Sequence, residues 1–127
     1  MLIAPALLCA ALTAAPALPA DHIRCFDLTV VPGHVKRGID GDTYVLFDVD
    51  VVSNEQHVRE RRLDTPERGD SLYYVARDSA TAWLARGSYR LDACTDDSFG
   101  RLLGTSVRGT DTLSAHMIRL GLGVRVR

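Results

Sequence analysis

The feature that most constrains this fold is a change of hydrophobic period partway along the chain. Val45, Phe47, Val49 and Val51 alternate with Leu46, Asp48 and Asp50, the two-residue period of a strand with one buried face. Asp40-Gly41 just ahead is a strong tight-turn signal, so 30–39 reads as the preceding strand, interrupted at Pro32-Gly33. Ser53-Asn54-Glu55-Gln56 marks the next turn, and 57–63 a third strand. From 72 to 86 the period becomes helical: Leu72, Val75, Ala76, Ala80 and Trp83 share a face, with Asp70 or Ser71 as N-cap and Gly87 as C-cap. Tyr89, Leu91 and Ala93 alternate again as a fourth strand, 96–100 is a turn, and 102–107 a fifth strand. A last helix covers about 112–120, with Leu113, Met117 and Leu120 inward and Gly121 ending it. The chain is therefore expected to be mainly β with helices (β+α). Its element order is that of a five-stranded OB-fold Greek-key barrel, with a helix between strands 3 and 4 and a C-terminal helix.

Residues 1–20 stand outside that scheme. Positions 2–19 carry no charged side chain, are rich in Ala and Leu, and end at Ala20 ahead of Asp21-His22-Ile23-Arg24. This reads as a signal peptide cleaved after Ala20; Pro5, Pro16 and Pro19 argue against a stable membrane span. The remaining 21–127 is expected as one domain, a monomer secreted or periplasmic, without lasting membrane association. There Cys25 and Cys94 could form one disulfide; spacing alone leaves two buried free thiols open as well.

A net charge of −1 and a pI near 6.4 argue against a protein that coats nucleic acid through a global positive field. Any phosphate affinity must be local, and Arg59, Arg61, Arg62 and Arg68 form the available cluster. His22, His34, His57 and His116 are scattered, with no zinc-ligand spacing.

Three short segments carry chemistry: Asp40-Gly41-Asp42-Thr43, then Arg59 with Asp64-Thr65-Pro66-Glu67, then Phe99-Gly100-Arg101. Taken singly, each reads as an ordinary turn or exposed residue. In their order and spacing they resemble the staphylococcal nuclease (thermonuclease) family over roughly residues 35–126, including Gly121-Leu122 after the last helix. The resemblance implies an OB-fold nuclease-like domain that hydrolyses DNA and RNA with Ca²⁺. Asp42 and Asp64 would bind the ion through carboxylate oxygens and Thr65 through its carbonyl, with Asp40 nearby holding ligands through water. Glu67 would orient or deprotonate the attacking water. Arg59 and Arg101 would clamp the phosphate oxygens. Products would carry 3′-phosphates, and single-stranded DNA or RNA would be the preferred partner.

Glu60 and Arg62 occupy positions that are usually apolar or small in that family, so an inward charge there must be paired. The family's base-covering aromatics have no counterpart, leaving Tyr73 or Tyr74 as replacements. The alternative to an enzyme is a non-catalytic OB-fold module that binds oligonucleotides or another anion.

Overall fold

The computed structural model describes residues 23–47, 49, 55–96 and 100–127. The expected leader at 1–20, Asp48, the segment 50–54 and the turn residues 97–99, including Phe99, lie outside the described residues.

The expected first strand is two strands. Pro32 lacks an N–H for a ladder and starts a single 3-10 turn, Pro32–His34, which divides β1 (Cys25–Val30) from β2 (Val35–Asp40). The other strands are β3 (Thr43–Leu46), β4 (Gln56–Glu60), β5 (Leu63–Asp64), β6 (Tyr89–Asp96), β7 (Arg101–Arg108), β8 (Asp111–Thr112) and β9 (Val124–Arg125). Two helices, α1 (Tyr73–Leu84) and α2 (Leu113–Arg119), complete the mainly β fold. The main sheet is mixed, ordered β1-β6-β7-β4-β3-β2, with β8 on β7; β4 and β7 are parallel, and β5 pairs with β9 separately.

No ladder among the described residues joins β1 to β2, so by hydrogen bonds the sheet is open. Its two edges are nevertheless consecutive in the chain. Laid flat, six strands would separate those edges by about 24 Å, whereas the link from Val30 to Val35 spans at most about 17 Å. The sheet must curl, and the core fills the hollow with Val30, Leu46, Val58, Leu91, Trp83, Leu113 and Met117 among others.

The helix faces differ from the sequence reading. Ala76, Ala80 and Trp83 of α1 are buried as expected, but Leu72 and Val75 are exposed, and Tyr73 and Leu84 are buried in their place. Tyr73 wins because its hydroxyl donates to the Ile39 carbonyl, fastening α1 to β2. Asp70 does not cap the helix; its Oδ1 accepts from Leu72 N–H at 2.8 Å in the turn before it. The far end is closed by Arg108 of β7, whose guanidinium donates to the carbonyls of Trp83 and Gly87, each at 2.7 Å, and lies 4.3 Å from the Trp83 ring. In α2, Thr112 accepts from Ala115 N–H as N-cap; Leu113 and Met117 are buried, while Leu120 is exposed. Strand β3 is buried at all four positions rather than alternately. Cys25 and Cys94 lie opposite each other in the β1–β6 ladder and are disulfide-bonded. Among the described residues no helix is long and apolar enough to cross a membrane.

Candidate active site

The turn between β2 and β3 sets the geometry. Asp40 Oδ1 accepts from Asp42 N–H at 3.1 Å, the local bond that Asp side chains use to make turns. Asp42 then points inward and is only 5% exposed. Its Oδ2 accepts from the N–H and the hydroxyl of Thr65, each at 3.0 Å. Its Oδ1 accepts from the Thr43 hydroxyl at 2.9 Å and lies 3.2 Å from Arg59 Nη1. Three hydrogen bonds and one ion pair thus converge on one carboxylate. Gly41 permits this meeting, because a Cβ there would lie 2.8 Å from the Thr65 side chain.

Arg59 reaches Asp42 from β4. The same Nη1 donates to the carbonyls of Glu60 at 3.1 Å and Leu63 at 2.6 Å. One nitrogen thus fixes the guanidinium plane, while Nε and Nη2 form no hydrogen bond among the described residues. Arg101 opens β7 after Gly100, which sits at φ +67°. The parallel register matches Val58 with Leu102 and Arg59 with Leu103. Alternation therefore puts Arg59 and Arg101 on one face, opposite buried Val58 and Leu102, with Cα atoms about 8 Å apart.

Asp64 and Glu67 are exposed. Asp64 pairs with Val124 across β5–β9, and with Thr65 and Pro66 it walls a cleft of about 270 Å³ facing Gly121 and Gly123. The Glu67 carbonyl accepts from Asp70 N–H at 2.9 Å, and its carboxylate makes no hydrogen bond among the described residues. So the fold gathers Asp40, Asp42, Arg59 and Thr65, sets Arg101 on the Arg59 face, and leaves Asp64 and Glu67 towards solvent.

Among the described residues no three acidic, histidine or cysteine side chains gather as a ready-made metal cage. The donor chemistry still suits a hard divalent cation, since the side chains of the Asp-Gly-Asp-Thr turn and the Asp-Thr-Pro-Glu segment offer oxygen donors and no nitrogen or sulfur ligand. Asp40 adds an electrostatic reason. Its carboxyl is pushed up to about 6, first by burial and then by Asp42 beside it, and a cation there would relieve both.

Sequence reasoning missed Thr43, whose hydroxyl completes the Asp42 shell; its place next to Asp42 was the available signal. It assigned Thr65 only a carbonyl, whereas its N–H and hydroxyl hold Asp42. Glu60 does point inward, 1% exposed, and is satisfied. It accepts from the N–H and hydroxyl of Ser106 at 2.7 and 2.8 Å; Ser106 Oγ lies 2.9 Å from the Tyr44 hydroxyl, and Tyr89 donates to Tyr44 at 3.0 Å. Burial pushes the Glu60 carboxyl up to about 7 against the pull of its Ser106 donors. Arg62 is exposed. Buried Tyr73 is not placed to stack on a base; Tyr74 is 62% exposed, with the Arg77 guanidinium 4.9 Å from its ring centroid.

No family model matches the chain, and no curated protein matches it.

Proposed function

We propose that this protein is an exported Ca²⁺-dependent nuclease that hydrolyses phosphodiester bonds of single-stranded DNA or RNA on an OB-type barrel. The observation that carries the proposal is the meeting at Asp42. The Asp-Gly-Asp turn, Arg59 and the Asp-Thr-Pro-Glu segment, distant in sequence, share one buried carboxylate. The curl of the sheet and the helix between β5 and β6 support the barrel.

Asp42, Asp64 and the Thr65 carbonyl would hold the cation, with Asp40 through water. When bound, the ion supplies Lewis-acid polarisation of the scissile phosphate. Arg59, its plane fixed through Nη1, presents Nε and Nη2 to two non-bridging oxygens; Arg101, on the same face, takes the charge that grows at phosphorus. Glu67 takes a proton from the attacking water, whose oxygen bonds phosphorus as the bond to the 5′-oxygen breaks; that oxygen is protonated by solvent. Tyr74 is available to stack on a base.

One observation favours the competing reading of a non-catalytic oligonucleotide- or anion-binding module. Asp42 is already engaged by three hydrogen bonds from Thr43 and Thr65 and by the Arg59 ion pair, which a cation would have to share or displace. The two readings separate in one experiment: single-stranded DNA incubated with the protein and Ca²⁺, with chelator, Glu67→Ala and Asp42→Asn alongside. Calcium-dependent cleavage lost in both variants is expected. Absence of cleavage by folded protein that still binds the strand would select the binding module.

A further inference from the structure

A second basic feature lies beside the motif rather than in it. Arg61 and Arg62 in the β4–β5 turn and Arg125 of β9 converge on a cleft of about 390 Å³, floored by Thr105, Thr112 and Ser114. Arg62 and Arg125 continue into an adjoining cleft of about 380 Å³ that Arg127 also lines. Among the described residues no acidic side chain lines either cleft. Among the described residues none of these four arginines forms an ion pair, although six ion pairs occur elsewhere in a chain of net charge −1. Arg61 acts electrostatically on the buried Glu60 carboxyl beside it, but gathering Arg61, Arg62 and Arg125 without an ion pair is unfavourable, and this arrangement is what an anion site needs.

Two details show that the cleft is held in shape. Arg61 Nη2 donates to the Leu103 carbonyl at 3.0 Å, and the Arg61 carbonyl accepts from the Ser114 hydroxyl at 3.2 Å, tying the turn to β7 and α2. Arg62 is the only non-glycine at positive φ (62°) among the described residues, a conformation disfavoured by about 1 kcal/mol or more. The clefts lie beside the candidate active site along the chain, because Arg62 and Asp64 flank Leu63, and Arg125 pairs with Leu63 across β5–β9. Two residues span at most about 7 Å, within the scale of one nucleotide step, so a strand held at Asp64 can place a neighbouring phosphate against Arg62.

We infer that the cleft of Arg61, Arg62 and Arg125 binds a backbone phosphate of the same nucleic-acid strand outside the scissile one, without reading its sequence. The inference rests on the nuclease reading for the strand's location, though not for the cleft's affinity. Arg62→Gln/Arg125→Gln removes two exposed charges and spares Arg61, whose side chain also supports the turn. Affinity of the full chain for a fluorescent single-stranded 12-mer is measured in chelator across salt concentrations, with a dinucleotide and inorganic phosphate as further probes.

The double variant is expected to bind the 12-mer about tenfold more weakly, with a salt slope shallower by about 0.7, the figure for one lost single-strand phosphate contact. Dinucleotide binding and the calcium-dependent rate on a small nitrophenyl phosphodiester are expected to stay within twofold. Unchanged 12-mer affinity and slope overturn the inference, as does phosphate binding lost in the variant while 12-mer binding persists, which would mark a free-phosphate site. If the wild type cleaves nothing yet shows the variant-sensitive 12-mer binding, the nuclease reading fails and the strand cleft stands. Unchanged melting of the variant keeps an affinity loss from being mistaken for unfolding.

Discussion

Glu60→Gln isolates the buried carboxyl in the core. The group is 1% exposed, and burial lifts it from the ordinary 4.5 to about 7 even though Ser106 donates to it twice. A carboxyl raised in the folded state keeps its proton after the unfolded chain has released its own. Stability from this group is therefore fully present below about 4.5 and is lost as pH rises to about 7. The displacement corresponds to about 3 kcal/mol. Glutamine keeps the shape, can accept from Ser106 N–H, stays neutral, and should not feel this loss. Urea unfolding of both proteins from pH 4 to pH 8, in chelator throughout, gives the difference directly and cancels carboxylates with the opposite trend, such as Asp111, lowered first by Arg119. The variant is expected to gain on the wild type by about 3 kcal/mol across that range, with no further change above pH 8. A difference that stays flat with pH refutes the reasoning: either Glu60 is ionised at little cost or water reaches it.

Other outcomes follow from single contacts. Arg59→Lys should lower the cleavage rate by about 10²–10³-fold with little change in melting, because an ammonium cannot hold Asp42 and clamp two phosphate oxygens at once; steady-state kinetics on single-stranded DNA reads it. Gly41→Ala should cost about 1–3 kcal/mol through the collision with Thr65 and depress activity in parallel, seen by urea unfolding and the same kinetics. Replacing Cys25 and Cys94 together with serine should cost about 4 kcal/mol for a loop of 69 residues, read by urea unfolding; thiol titration of the unfolded wild type without reductant should find neither of the two free.

How much of this was legible in the sequence depends on the range of the interaction involved. The strand–turn–strand around Asp40-Gly41, the helix before Tyr89 and the helix ended by Gly121 follow from period and turn chemistry, which act over a few residues. The residue types gathered around Asp42 were likewise readable as motifs, though not that Arg59, Thr43 and Thr65 would engage Asp42 itself. The face that α1 buries was legible only in part: Ala76, Ala80 and Trp83 are inward as their spacing implies. Leu72 and Val75 are as apolar as the residues buried in their place, and the bond from Tyr73 to the Ile39 carbonyl comes from another element.

Nor could sequence show that the first strand would occupy both edges of the sheet. Pro32 marks the break, but the partners of each half, β6 and β3, are far away along the chain. Glu60 is the plainest case. The sequence marks it only as a charge that would need a partner if it faced inward, and its hydrogen-bond donor Ser106, with the tyrosines behind it, comes from other strands. The sequence determined which local elements form and which chemical groups are present. The tertiary structure decided which of those groups share a desolvated space, because burial and hydrogen bonding are properties of contacts made across the chain.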